Sequence, residues 1–194
     1  MEPSKAELRS KALRDRDALD DASRNAFASR LSRIGPSFVS DFSPTVSRPV
    51  TSLYVPIGSE PDAMPLALVL HAAGIPLVLP VDWSHGAPLI YRRWAPGDRL
   101  VAGPMGIYEP LDDAPDVDPD VLFVPLAAFD RLGQRLGYGA GNVDSTLRAM
   151  RRRKSVRAIG VAYAVQEQPA IPVERHDEPV DVVITDSEVI LCQR

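Results

Sequence analysis

The chain carries one cysteine, Cys192, among 194 residues. One thiol makes neither an internal disulfide nor a cysteine-based zinc cluster. Lysine is almost as scarce: Lys5, Lys11 and Lys154 are the only lysines among 22 basic residues, so an anion site here must be built mostly from arginine. The opening MEPSKAELRSK has no apolar core of a secretory signal. The longest apolar stretch, residues 63–81, is broken by Pro65, His71, Gly74, Pro76 and Pro80, and predicts a helix followed by a buried strand rather than a membrane span. His71, His85 and His176 fall at no metal-ligand spacing, and no G-x-S-x-G elbow occurs. No internal repeat is present. A formal charge of −4 argues against a general nucleic-acid binder but leaves room for a local basic pocket. These absences predict a soluble, cytoplasmic, single domain over residues 1–194.

Proline is in excess, 19 residues, about twice the usual ~5 %. Its even spread marks strand ends and turns. Residues 5–19 read as a charged helix. A second helix starts at Asp20 or Asp21 and carries Phe27, Leu31, Ile34 and Phe38 as one apolar stripe, with Gly35-Pro36 marking a kink or an end. Strands are expected at 50–55, 75–79, 89–94, 121–124, 156–162, 180–184 and 188–191, and helices at 65–73 and 143–153. Residues 104–119, with four prolines and five acids, read as a loop. The apolar strands call for a sheet covered on both faces, an α/β class.

The most informative stretch is 130–147, DRLGQRLGYGAGNVDSTL, which follows a buried strand and leads into a helix. Gly137, Gly139 and Gly141 alternate with larger residues, so the backbone there can take positive φ and approach a ligand closely. Such a loop aims free N–H groups and a helix N-terminus at an anion. Arg131 and Arg135 can add bidentate charge, and Asp144 can either cap the helix or hold Mg²⁺. The spacing is neither a Walker A loop nor a GxGxxG fingerprint. Lys5 and Arg9 share a helix face that reads as solvated. Glu60 and Asp62 follow a strand end, either an ordinary turn or a ligand contact. Residues 151–154, RRRK, complement a helix C-terminus.

In order, these segments resemble the 5-formyltetrahydrofolate cyclo-ligase family, also called methenyltetrahydrofolate synthetase. The resemblance rests on Lys5-Ala-Glu-Leu8-Arg9, on Tyr54-Val-Pro56 with Glu60 and Asp62, and on Gly106-Ile-Tyr-Glu109-Pro110. It continues through Val124-Pro125, Phe129-Asp130, the run Arg135-Leu136-Gly137-Tyr138-Gly139-Ala140-Gly141, then Gln166, His176-Asp177 and Ile184-Thr185. It implies a three-layer α/β fold with a mostly parallel central sheet flanked by helices, like that of sugar-phosphate isomerases and CoA transferases. It implies ATP- and Mg²⁺-dependent conversion of 5-formyltetrahydrofolate to 5,10-methenyltetrahydrofolate, with ADP and phosphate released, by a monomer or homodimer that uses no nucleic acid or membrane. Carried over by position, Lys5, Arg9 and Arg135 to Asn142 would bind ATP, with Arg135 and Asp144 serving catalysis. Asp144 and Asp177 would bind Mg²⁺, and Val55 and Glu60 the folate. The alternative is a divergent paralogue that binds nucleotide or folate in another role; an RNA-binding relative is disfavoured by charge and by the lack of an aromatic RNA motif. The chain departs from the family where an aromatic or His-Tyr pair, an Asp and often a basic residue usually end the loop. Here stand Asn142, Val143, Asp144 and Ser145. On the sequence, restoring Tyr at 142 and 143 and Arg at 145 is expected to raise kcat/KM.

Overall fold

The computed structural model describes residues 3–81, 84–103 and 106–192. Helix α1 (Lys5–Asp17) begins in a capping box: the Ser4 hydroxyl accepts from the Glu7 N–H, and the Glu7 carboxylate accepts from the Ser4 N–H at 2.8 Å. Helix α2 (Asp21–Ser40) is capped by Asp20, which accepts from the Ser23 N–H. It runs through Gly35-Pro36, where the sequence predicts a kink or an end. Proline removes one donor, but the helix is held past it by packing on α3 (Met64–Ala72), so close that a Cβ on Gly35 would sit 2.8 Å from Leu66.

Seven strands form the main sheet: β1 (Thr51–Ser52), β2 (Leu77–Val81), β3 (Ile90–Arg93), β6 (Val121–Pro125), β9 (Arg157–Val161), β10 (Val182–Ile184) and β11 (Val189–Leu191). Their order is β11-β10-β9-β6-β1-β2-β3, with the five inner strands parallel and both edges antiparallel. Period-2 alternation sends Leu77, Leu79, Val121, Phe123, Ile159, Val161 and Ile184 to the face covered by α2 and α3. Val78, Leu122, Val124, Ala158 and Val183 go to the opposite face, where α4 (Asn142–Arg151) lays down Leu147 and Met150. This is the expected α/β sandwich of helix, sheet and helix.

Strand β2 is shifted two residues from the expected 75–79, and two stretches differ more from the sequence reading. The strand expected over 50–55 pairs only at Thr51–Ser52, prolonged by the Leu53 N–H donating to Val78 O at 3.1 Å; beyond this the chain leaves the sheet toward the site. The segment read as a loop contains β5 (Tyr108–Pro110), an antiparallel partner of β4 (Leu100–Ala102). Proline ends this short strand without removing a ladder bond it needs. A second hairpin, β7 (Ala128–Phe129) and β8 (Arg135–Leu136), carries the glycine loop. Helix α1 docks on that hairpin through a small cluster of Leu8, Ala12, Ala128, Leu136 and Ile171.

Candidate active site

The direction of travel across the sheet reverses between β1 and β6. From β1 the chain moves outward to β2, and from β6 it moves the other way to β9 and β10. Segments leaving the carboxyl ends of two such neighbours diverge and leave a crevice. One wall follows β1 and contains Val55, Ser59 and Glu60. The other follows β6 and contains the β7–β8 hairpin and the glycine loop.

Asp130 sets that hairpin. Its carboxylate accepts from the N–H groups of Leu132, Gln134 and Ile171 at 2.9–3.1 Å, so this family-like residue is an architectural one. Gly133, at φ +82°, has no space for a side chain against Val180. Arg131 points elsewhere and pairs with Glu167 and Glu188 on the surface, which removes it from the anion site the sequence offered.

The glycine loop itself is open. Gly139 and Gly141 take φ of +101° and +74°, and a Cβ on Gly137 or Gly141 would meet nothing within 4 Å. Gly141 is the N-cap of α4, so Asp144 lies inside the first turn and is not the cap. Around this loop the structure gathers the predicted nucleotide residues. Arg9 donates through Nε to Gly137 O at 2.6 Å. Lys5 Nζ sits 2.6 Å from Asp177 Oδ2 and 3.2 Å from Glu174. Arg135, 8 % exposed, is 3.0 Å from Asp144, which also accepts from the Glu178 N–H. Burial pushes the Arg135 guanidinium down and Asp144 opposes it. Burial pushes the Asp177 carboxyl up, but hydrogen bonds from Lys5 and the Glu174 N–H outweigh it and leave it below its ordinary range. Leu136 turns its side chain into the α1 contact, so only its backbone is available to a ligand.

Tyr138 and Asn142 leave the group. The Tyr138 hydroxyl accepts from Arg16 at 3.1 Å and acts electrostatically on Glu60, across the crevice. Glu60, 6 % exposed, is fixed by the Ile57 N–H at 2.9 Å. Burial raises the Glu60 carboxyl, opposed by that N–H, by Tyr138 and by Arg16. The Tyr138 hydroxyl is pushed up to about 12, first by burial and then by Glu60. Val55 packs at the rim of the core beside this group. Asn142 is buried and donates through Nδ2 to Ser84 O at 2.6 Å and Ala87 O at 2.9 Å, while Ser145 Oγ donates to Gly86 O at 2.7 Å. Asn142 and Ser145, the departures from the family pattern, therefore latch the 84–87 turn onto the loop.

Arg16 escaped the sequence reading. It is 4 % exposed and its Nε donates to Ser59 Oγ at 2.8 Å. The signal was available: Arg16 lies eleven residues after Lys5, three helical turns, on the same α1 face. In a run of alternating charges it looks solvated.

The donor set fits Mg²⁺. Asp144 and Asp177 each keep one carboxylate oxygen with no hydrogen bond from a described residue, and hard oxygen donors of this kind suit that ion. No group of three His, Cys, Asp or Glu side chains among the described residues forms a protein-only cage. This suits an ion that takes its remaining ligands from water and phosphate.

Residues 1–186 match the model of the 5-formyltetrahydrofolate cyclo-ligase family. The chain is 36 % identical to a 5-formyltetrahydrofolate cyclo-ligase of Escherichia coli (strain K12) over 153 residues, 76 % of this chain and 84 % of that one. It is 33 % identical to the enzyme of that name from Mycolicibacterium smegmatis over 98 % of both chains. Its structure resembles that of Aquifex aeolicus 5,10-methenyltetrahydrofolate synthetase, with a TM-score of 0.75 and 31 % identity over 98 % of this chain and 93 % of that one.

Proposed function

The chain belongs to the 5-formyltetrahydrofolate cyclo-ligase family, and from that premise we propose that it uses Mg-ATP to close 5-formyltetrahydrofolate to 5,10-methenyltetrahydrofolate, with ADP and phosphate as by-products. The observation that carries this reading is the meeting, at one crevice, of an open glycine loop ringed by Lys5, Arg9 and Arg135 with the buried acceptor Glu60 on the other wall.

The γ-phosphoryl group passes to the formyl oxygen, N10 attacks the activated carbon, and phosphate leaves. No protein nucleophile takes part. Burial pushes the Cys192 thiol up to about 11, in keeping with that. Catalysis is then alignment of two substrates and neutralisation of polyphosphate charge. The glycine-loop N–H groups and the first turn of α4 cradle phosphate oxygens, Arg9 holds the loop by its Gly137 carbonyl, and Lys5 swings from Asp177 to phosphate. Asp144 and Asp177 would hold Mg²⁺, which when bound would spread the negative charge of the phosphates. Glu60 accepts hydrogen bonds from the amine and amide of the pterin, with Val55 against its apolar face. No helix among the described residues is long and apolar enough to cross a membrane, and we place the reaction in the cytoplasm.

The test is an absorbance assay for the methenyl product with 5-formyltetrahydrofolate, ATP and Mg²⁺. Turnover that needs all three supports the reading. Tight ATP binding without product would favour a paralogue with another acceptor.

A further inference from the structure

Glu60 accepts from both the amine and the amide of a folate only while it is ionised, since a protonated carboxyl turns one oxygen into a donor, yet it is buried and no cation among the described residues is bonded to it directly. Burial pushes its carboxyl up, and its surroundings oppose that. The groups that face it are the Ile57 N–H, the Tyr138 hydroxyl from the glycine loop, Arg16 from α1, and Tyr54 with Asp62 from the segment after β1. Tyr54, fully buried, is held neutral by that burial and donates to Pro61 O at 2.7 Å. Asp62 is occupied with the Met64 N–H. Arg16 is therefore the one cation of the set, and its guanidinium spans both walls of the crevice. Nε donates to Ser59 Oγ at 2.8 Å, beside Glu60 in the chain, and Nη1 donates to the Tyr138 hydroxyl at 3.1 Å. The Ser59 hydroxyl in turn donates a hydrogen bond to Asp17 at the end of α1. The Tyr138 ring lies under the guanidinium at 6.0 Å. An accepted hydrogen bond from Arg16 leaves the Tyr138 O–H free to donate, and its dipole together with the Arg16 charge acts on Glu60 as an electrostatic relay.

We propose that Arg16 is a positioning residue for the folate half of the site: bonded at once to Ser59, next to Glu60 in the chain, and to Tyr138, it ties the Glu60 wall to the glycine loop and places its charge beside the Glu60 carboxylate. The assignment of Glu60 to the folate rests on the ligase reading; the electrostatic link between Arg16 and Glu60 does not. Buried opposite charge moves a carboxyl by about one unit or more, and one unit is a tenfold change in proton affinity.

Two measurements separate the two. The first is a carboxyl ¹³C NMR titration of Glu60, assigned by the loss of its signal in E60Q, which needs no substrate. Arg16→Gln is expected to raise the Glu60 midpoint by about one unit, Arg16→Lys by less than about half of that, and Tyr138→Phe by an intermediate amount. The second is kcat and both KM values against pH. Arg16→Gln should raise KM for 5-formyltetrahydrofolate at low pH, by up to about tenfold for a one-unit shift, with recovery toward wild type as pH rises, and leave KM for Mg-ATP within about twofold. An unmoved Glu60 midpoint in Arg16→Gln overturns the proposal, as does an equal loss on both substrates at all pH values. If Arg16→Gln does not fold, Tyr138→Phe decides: it keeps the ring and removes only the relay hydroxyl, and an unmoved midpoint there also overturns the proposal. A wild-type protein that shows the NMR shift pattern but makes no methenyl product would sink the ligase reading and leave the link standing.

Discussion

The two walls of the crevice handle charge in opposite ways. On the nucleotide wall two cations are already matched: Arg135 by Asp144 at 3.0 Å, and Lys5 by Asp177 at 2.6 Å. On the folate wall the buried acid Glu60 has only an N–H, a hydroxyl and a cation one group away. On the proposed reading, an incoming polyphosphate with its metal would exchange partners with pairs that exist, whereas an uncharged pterin edge would meet an acceptor with spare capacity. The difference suits the ligands. A highly charged one can displace ion pairs, and a neutral one needs a group left under-satisfied.

The comparison breaks most directly at Arg135. Removing one member of a buried pair leaves the other charge uncompensated, a loss of about 3–5 kcal/mol. Arg135→Ala is expected to lower urea-unfolding stability by that order, and R135M/D144L together by much less. Equal losses in the single and double variants would mean that the pair does not act as a unit.

Glu60→Gln comes next. Two lost charge-assisted hydrogen bonds, at about 1.5–3 kcal/mol each, imply a rise in KM for the folate of at least about tenfold, with Mg-ATP little affected. Stability should move the other way. Because the folded value of Glu60 is raised, the folded state holds this proton more tightly. The ionised side chain therefore costs stability as pH climbs from the ordinary glutamate range through the raised value. Glu60→Gln should gain stability relative to wild type at pH 7 and gain least below pH 4, by thermal unfolding across pH.

A smaller effect is expected at Asn142. The sequence comparison suggests that Tyr at 142 improves the enzyme, but the amide is buried and serves Ser84 O and Ala87 O. Asn142→Tyr must expel that amide and free the 84–87 turn. A loss of about 1–3 kcal/mol and a fall in kcat/KM follow, measured by unfolding and steady-state kinetics. A gain in kcat/KM would return position 142 to the stacking role.

The smallest concerns Lys5. Asp177 is held below its ordinary range, so the pair stabilises the fold above the carboxylate range and loses this as pH falls through the lowered value. Lys5→Met should cost under about 1 kcal/mol at pH 7 and low salt, since the pair is partly solvated, and nothing at pH 2. Its KM for Mg-ATP should rise while that for folate holds.

The sheet was legible because β2, β6, β9 and β10 are apolar runs buried on both faces, and the glycine loop because few folds need alternate glycines before a helix. What escaped depends on contacts across the chain. Helix α2 passes Pro36 because Leu66, thirty residues later, packs on Gly35. Strand β5 hides among prolines because its partner β4 supplies the pairing. Arg16 reads as surface until Tyr138 and Ser59 come to it, and Asn142 reads as a lost ring until the 84–87 turn is seen beneath it.

Helix α1 is held to the hairpin by little apolar surface: Leu8 and Ala12 are its buried hydrophobic residues. Burial of one leucine contributes about 1.5–3 kcal/mol. Most of its other long-range attachments are polar, through Lys5, Arg9 and Arg16. These join residues separated by 128 positions in Arg9–Gly137 and 172 in Lys5–Asp177. During synthesis helix α1 emerges early and, apart from Ser59, must wait for the last third of the chain before its polar partners exist. Contacts of such separation form late, after the sheet has fixed the hairpin. The same arrangement makes α1 the first segment to peel away, at a free energy well below that of global unfolding. On the proposed reading, the amides of α1 would then report occupancy, exchanging quickly in the free protein and slowly once polyphosphate bridges Lys5 to the glycine loop.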